Sequence, residues 1–156
     1  MATRANVLIR GQNSYDPQIL LYHHFDGYPE YMLPTMLQYK KILSKELKKV
    51  GGGPEWKKIR LGNPASLASL IIATDPTGFE IEAVFEKGEE VVLNGDIEYC
   101  YVITTSLKGI FIEIYTSHGL PEEDEDRFWK TGDPKLLKQV LPSTPFTEKE
   151  LKKVLV

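Results

Sequence analysis

One break in pattern constrains this chain more than any other. Near Phe79 its hydrophobic period changes from that of a helix to that of a strand. Upstream, Met36, Tyr39, Leu43, Leu47 and Val50 recur at 3-4-4-3 spacing, which makes one apolar stripe on a helix. Downstream, Phe79, Ile81, Ala83 and Phe85 alternate with Glu80, Glu82, Val84 and Glu86, the pattern of a half-buried strand. A chain of 156 residues is long enough to bury a core as one domain. The expectation is a single α+β domain over 1–156, with 117–156 as a peripheral C-terminal extension. Its sheet is antiparallel or mixed, two N-terminal strands plus a C-terminal meander, with two main helices on one face.

Local signals divide the chain further. Ala5 to Arg10 and Gln18 to His24 read as strands joined by the turn residues Gly11 to Pro17. Ile19-Leu20-Leu21-Tyr22 is apolar on both sides, so the second strand belongs inside the sheet. Proline is tolerated best in a first helical turn, which predicts a helix from Pro34 to the stop at Gly51-Gly52-Gly53-Pro54. That glycine run lacks the Gly-Lys-Ser/Thr end of a phosphate loop. Asn63-Pro64 caps a second helix whose inward face is Leu67, Leu70, Ile71 and Thr74, and Asp75-Pro76 stops it. Val91-Val92-Leu93 before Asn94-Gly95 predicts a hairpin. Residues 97–105 and 110–116 predict a second hairpin around Ser106 to Gly109. Gly119 to Asp126 reads as an acidic loop. Asp133-Pro134 starts a short helix carrying Leu136, Leu137, Val140 and Leu141, and Thr147-Glu148-Lys149-Glu150 is a capping box for a last one.

Charge and cysteine usage narrow the setting. The net charge of −3 gives no global field that favours nucleic acid. Residues 40–60 are nonetheless basic, and Lys40, Lys41, Lys48, Lys57 and Lys58, with Trp56 to stack on a base, form the one segment suited to phosphates. A solvated helix face accounts for the same lysines, so nucleic acid is a minor expectation. Residues 75–98 and the run Glu122 to Asp126 are acidic. The single cysteine, Cys100, excludes an internal disulfide and fits a reducing compartment. No stretch approaches transmembrane length, and the apolar segment after Arg4 is too short for a signal peptide. The expected location is the cytoplasm, without membrane contact.

Chemically versatile residues concentrate in Leu21-Tyr22-His23-His24-Phe25-Asp26-Gly27-Tyr28-Pro29-Glu30, where a strand hands over to a helix. If the strand persists, His24 and Asp26 share a face. They could meet one proton in acid–base catalysis, with Asp26 or Glu98 orienting His24. A metal needs three or four ligands, and the others would have to be His118, Asp96 or Glu98. That set is incomplete, so no metal or cofactor is expected. Cys100 lies mid-strand, where cysteine behaves as a small hydrophobe. The alternative for the turn is structural: Asp26 accepts hydrogen bonds from turn amides and His24 caps the strand end. Tyr22, Tyr28, Tyr99 and Tyr101, with His24 and Asp26, are the candidate binding residues, because tyrosine is enriched at recognition surfaces.

The same run resembles a motif, Tyr-x-His-x-Asp-Gly-Tyr-Pro, of an uncharacterised family of small phage, bacterial and archaeal proteins. Asp96-Ile97-Glu98-Tyr99-Cys100-Tyr101-Val102 is similar to that family's second motif. The resemblance covers roughly residues 5–116 and implies an intracellular, mobile-element-associated protein, with no activity to transfer. The functional expectation is a small intracellular binding or regulatory protein without catalysis. The alternative is a hydrolase, with or without metal assistance, using His24, Asp26 and Glu98.

Overall fold

A computed structural model describes residues 3–12, 16–49, 62–106, 109–145, 147 and 149. Six strands are present among them: β1 (Ala5–Gly11), β2 (Gln18–His23), β3 (Phe79–Phe85), β4 (Tyr99–Ser106), β5 (Gly109–Thr116) and β6 (Lys138–Pro145). Three α-helices, α1 (Pro29–Lys49), α2 (Pro64–Thr74) and α3 (Glu122–Thr131), and a 3-10 turn at Pro134–Leu136 accompany them. The strands form one mixed sheet in the order β3-β2-β1-β4-β5-β6. β1 pairs antiparallel with β2 and parallel with β4, and every other pairing is antiparallel. The chain is therefore α+β, as its periodicity predicts, and β2 is an inner strand.

α1 and α2 cover one face. Met32, Leu33, Met36, Tyr39 and Leu43 of α1 pack with Leu67, Ala68 and Ile71 of α2 onto Val7, Leu21, Tyr101, Ile103 and Ile112 of the sheet. α1 begins at Pro29, not Pro34, and Pro34 lies within it. Proline there forfeits one backbone hydrogen bond, a loss offset by burying Met32 and Leu33, which a later start would leave outside the helix. Leu47's side chain, Val50 and the glycine stop lie outside the described residues. α2 matches its signals: the Asn63 side chain accepts from Ala65 N at 2.9 Å. Thr74, however, is exposed, and Ala68 takes the inward place.

The other face carries a second core of Leu8, Leu20, Tyr22, Cys100 and Val102, covered by Leu93, Ile97, Phe128 and Leu137. Its cover overturns several local readings. Residues 91–94 form no strand and Asn94-Gly95 makes no hairpin turn. Such a turn requires positive φ at its two central residues, and neither Asn94 nor Gly95 has it. The cause is topological: β3 pairs with β2 at the far edge, so 86–98 must pass under β2 and β1 to reach β4. The meander is instead β4-β5-β6. Its first hairpin pairs Ser106 with Gly109 as the spacing predicts.

The acidic run opens α3 rather than a loop. Acids in a first turn meet the helix's positive end, Phe128 anchors it in the core, and Gly132, at φ 64°, closes it. The helix expected after Pro134 stops at Leu136, and the chain continues as β6, which pairs with the outer edge of β5. Pro142, which has no N–H to donate, falls where that register is interrupted. The described part of 117–156 thus adds a core helix and an edge strand. The final helix expected from Thr147 lies largely outside the described residues.

β3 does not keep one inward face. The register with β2 steps from Leu20–Ala83 to Leu21–Ile81, leaving Glu82 in a bulge. Phe79 therefore joins the α1–α2 core and Phe85 the opposite one, while Ile81 and Val84 stay exposed.

Candidate functional site

The sheet end where β1 and β4 begin and β2 and β5 finish gathers all three histidines and most of the candidate residues. Its geometry follows from the turn after β2. Strand pairing ends at His23, and Asp26 adopts φ 52°. Aspartate tolerates this left-handed conformation better than branched residues do. Gly27 then passes close over β1: its N–H donates to Thr3 O at 2.9 Å, and a Cβ there would sit 2.8 Å from the Ala5 Cβ. The buried Tyr101 hydroxyl donates to Gly27 O at 2.7 Å. Burial raises its pKa, so it stays a donor. The turn is therefore bolted to the sheet at both backbone groups of Gly27.

This geometry separates His24, Asp26 and Glu98. Alternation ends before Asp26, so the shared-face argument fails. Asp26 is exposed, and among the described residues its carboxylate accepts no turn amide, so the expected cap is absent too. His24 Nε2 lies 2.9 Å from Glu80 Oε1 on β3. His118 Nε2 lies 2.9 Å from Glu98 Oε2 on the β4–β5 side. Two strand spacings, roughly 10 Å, separate the β2 and β4 positions. Glu80 was not among the sequence candidates, because only the β2–β3 pairing brings it beside His24. Among the described residues no group of three or more His, Cys, Asp or Glu could hold a metal ion.

Nor do the four tyrosines share a surface. Tyr22 is buried on the α3 side, where its hydroxyl donates to Asp96 Oδ2 at 2.8 Å. Burial and that acceptor push its pKa up to about 12. Tyr101 is fully buried on the α1 side. Tyr99 is half-buried, stacked on Tyr101 with ring centroids 6.3 Å apart and 5.4 Å from the His118 ring. Only Tyr28 is solvent-facing, beside two aromatics the candidate set omitted: Phe25 is 62% exposed, and Tyr28 and Tyr31 are each 38% exposed.

His23 faces the α1–α2 core, opposite His24. It packs on Phe79 at 4.4 Å and near Tyr31, with Nε2 4.0 Å from Asp75 Oδ2 and no hydrogen-bond partner at Nδ1. Burial holds its pKa below the ordinary histidine value despite Asp75. Cys100 is fully buried, and desolvation pushes its thiol up to about 12, which fits a core residue rather than a nucleophile.

Sequence reasoning also missed Asn6 and Asn94. Asn6 Nδ2 donates to Leu21 O at 3.0 Å and Asn94 Oδ1 at 2.8 Å, while Asn94 N donates back to Asn6 Oδ1 at 2.9 Å. The polar Asn6 inside an apolar strand was the available signal. Away from the sheet end, Lys40, Lys41, Lys45 and Lys48 of α1 line a cavity of about 440 Å³. Lys57 and Lys58 lie outside the described residues. No helix of the described residues is long and apolar enough to cross a membrane. In comparison with known proteins, no family model, curated protein or solved structure matches the chain.

Proposed function

We propose that the chain is a small binding protein without catalysis of its own, and that it docks a protein partner at the sheet end through Phe25, Tyr28 and Tyr31. One observation carries this reading: three exposed aromatics surround a turn whose backbone is bolted to the sheet. Rigid aromatics contribute contact area at low entropic cost, and such residues dominate interface energetics. Asp26, Glu30 and Glu80 place acids nearby, so the partner surface is apolar at its centre and basic at its rim. The lone buried thiol supports a cytoplasmic setting, and the motif resemblance supports association with a mobile element.

The test is affinity capture from the native cell, quantified against two variants. Phe25→Ala/Tyr28→Ala should lose the partner, with affinity for the purified partner at least tenfold weaker. Trp129→Ala, at an exposed aromatic on α3, should retain it. Equal capture by both variants would refute the reading. The alternative, a hydrolase on His24, Asp26 and Glu98, has less support, because each of the three has a different environment. Hydrolysis of ester or phosphodiester substrates that disappears in both His24→Ala and Glu98→Gln would favour it.

A further inference from the structure

The sheet face that carries α3 has a gap in its cover, away from the aromatic rim. Between β1, β4 and the 3-10 turn lies a cavity of about 350 Å³. Its floor is Leu8, Cys100 and Val102, and Val91, Pro134 and Leu137 wall it. Arg10, Gln18, Tyr115 and Lys135 complete the lining. We propose that this cavity binds a small organic anion with an apolar body, of the aromatic carboxylate type.

Three observations carry the assignment. The volume is at the lower end of small-ligand sites, roughly 300–1,000 Å³, and a mostly apolar lining with a few convergent polar groups is their usual make-up. The acid that Arg10 and Tyr115 share is already neutralised. Glu113 receives Arg10 Nη2 at 2.7 Å on one oxygen and the Tyr115 hydroxyl at 2.8 Å on the other. Arg10 Nε donates to Thr104 Oγ1 at 3.1 Å, so the guanidinium is held in place with further N–H groups left to offer. Lys135, across the opening, makes no ion pair among the described residues. Arg10 and Lys135 thus both line the cavity above an apolar floor, with Glu113 compensated and the Asp133 carboxylate engaged by the Lys135 backbone N–H at 3.0 Å. A neighbouring cavity of about 310 Å³ shares Arg10 and Gln18 but carries Asp16 and Glu86 against Lys87 alone. Those acids line that cavity and not this one, which favours seating the anion toward Lys135.

The probe pair is 1-naphthoate and its uncharged isostere 1-naphthamide, titrated calorimetrically into the full chain. Saturable binding of one naphthoate is expected, at least tenfold tighter than the amide. Lys135→Glu should weaken naphthoate at least fivefold. Lys138→Glu, an exposed lysine of β6 outside the lining, should leave it unchanged. Val91→Trp, which fills the opening from a non-regular segment, should abolish binding while the circular dichroism spectrum is retained. Absence of saturable binding, equal affinity for the amide, or equal losses in Lys135→Glu and Lys138→Glu would overturn the assignment. Loss of partner capture in the aromatic-rim variants with naphthoate binding intact would separate the two sites.

Discussion

Replacing Asn6 by alanine is the sharpest test of how the α3 face is held together. Asn6 is fully buried, and its side chain makes three hydrogen bonds to two segments. The Leu21 carbonyl sits where the β2–β3 register breaks, so the side chain supplies a partner beside the bulge. Asn6→Ala leaves that carbonyl and the Asn94 N–H without this partner. Each orphaned buried group costs about 1–3 kcal/mol, so the expected loss is about 3–5 kcal/mol. That is a large share of the roughly 5–15 kcal/mol typical of a domain. Urea unfolding followed by circular dichroism should show a midpoint lower by about 1.5–2.5 M, for a slope of about 2 kcal/mol/M that does not change. Asn94→Ala should cost less, because it keeps the backbone N–H that Asn6 accepts. The double variant should be non-additive by about 0.5–3 kcal/mol. A loss below 1 kcal/mol for Asn6→Ala, or strict additivity, would refute the argument that this pair ties the 91–97 cover to the sheet.

Three further outcomes follow from the sheet end. Gly27→Ala should destabilise by about 2 kcal/mol or more, because its Cβ would overlap the Ala5 Cβ and Thr3 O; calorimetric melting checks this, and an unchanged melting temperature contradicts the close approach. Asp26→Gly should hold or raise stability by up to about 1 kcal/mol, and Asp26→Val should lower it by about 1–2 kcal/mol, since φ 52° is easy for glycine and strained for a branched residue; urea midpoints in the opposite order would restore a capping role. His23 has a depressed folded-state pKa, so below the ordinary value of about 6.5 the unfolded chain binds the extra proton more readily. Stability is fully present above that pH and should fall on acidification, by at most about 1.4 kcal/mol per unit until the folded pKa is passed. His23→Phe should remove that component in urea titrations between pH 7 and 5, and an identical pH slope in both proteins would count against it.

What the sequence by itself determined lies in short-range chemistry. The α2 start was legible because Asn63 and Pro64 act within one turn. The β4–β5 hairpin was legible because its two strands are separated by two residues, and the apolar run of β2 identified an inner strand. The tight turn at Gly27 was visible as a cluster of turn formers and chemically active side chains. Tertiary structure decided everything that depends on which strands meet. Asn94-Gly95 carries a hairpin signal, yet β3 pairs across the sheet, so Asn94 bridges to Asn6 instead. Leu136, Leu137, Val140 and Leu141 have helical spacing, yet the open edge of β5 offered backbone hydrogen-bond partners and drew the chain from Lys138 onward into a strand. The partners of His24 and Glu98 were set in the same way. Glu80 and His118 lie 56 and 20 residues from them along the chain, and only the strand order brings each within hydrogen-bonding distance. Local propensities amount to about 1 kcal/mol per residue, whereas burying a side chain or completing a sheet edge is worth more, so the longer-range term prevails wherever the two conflict.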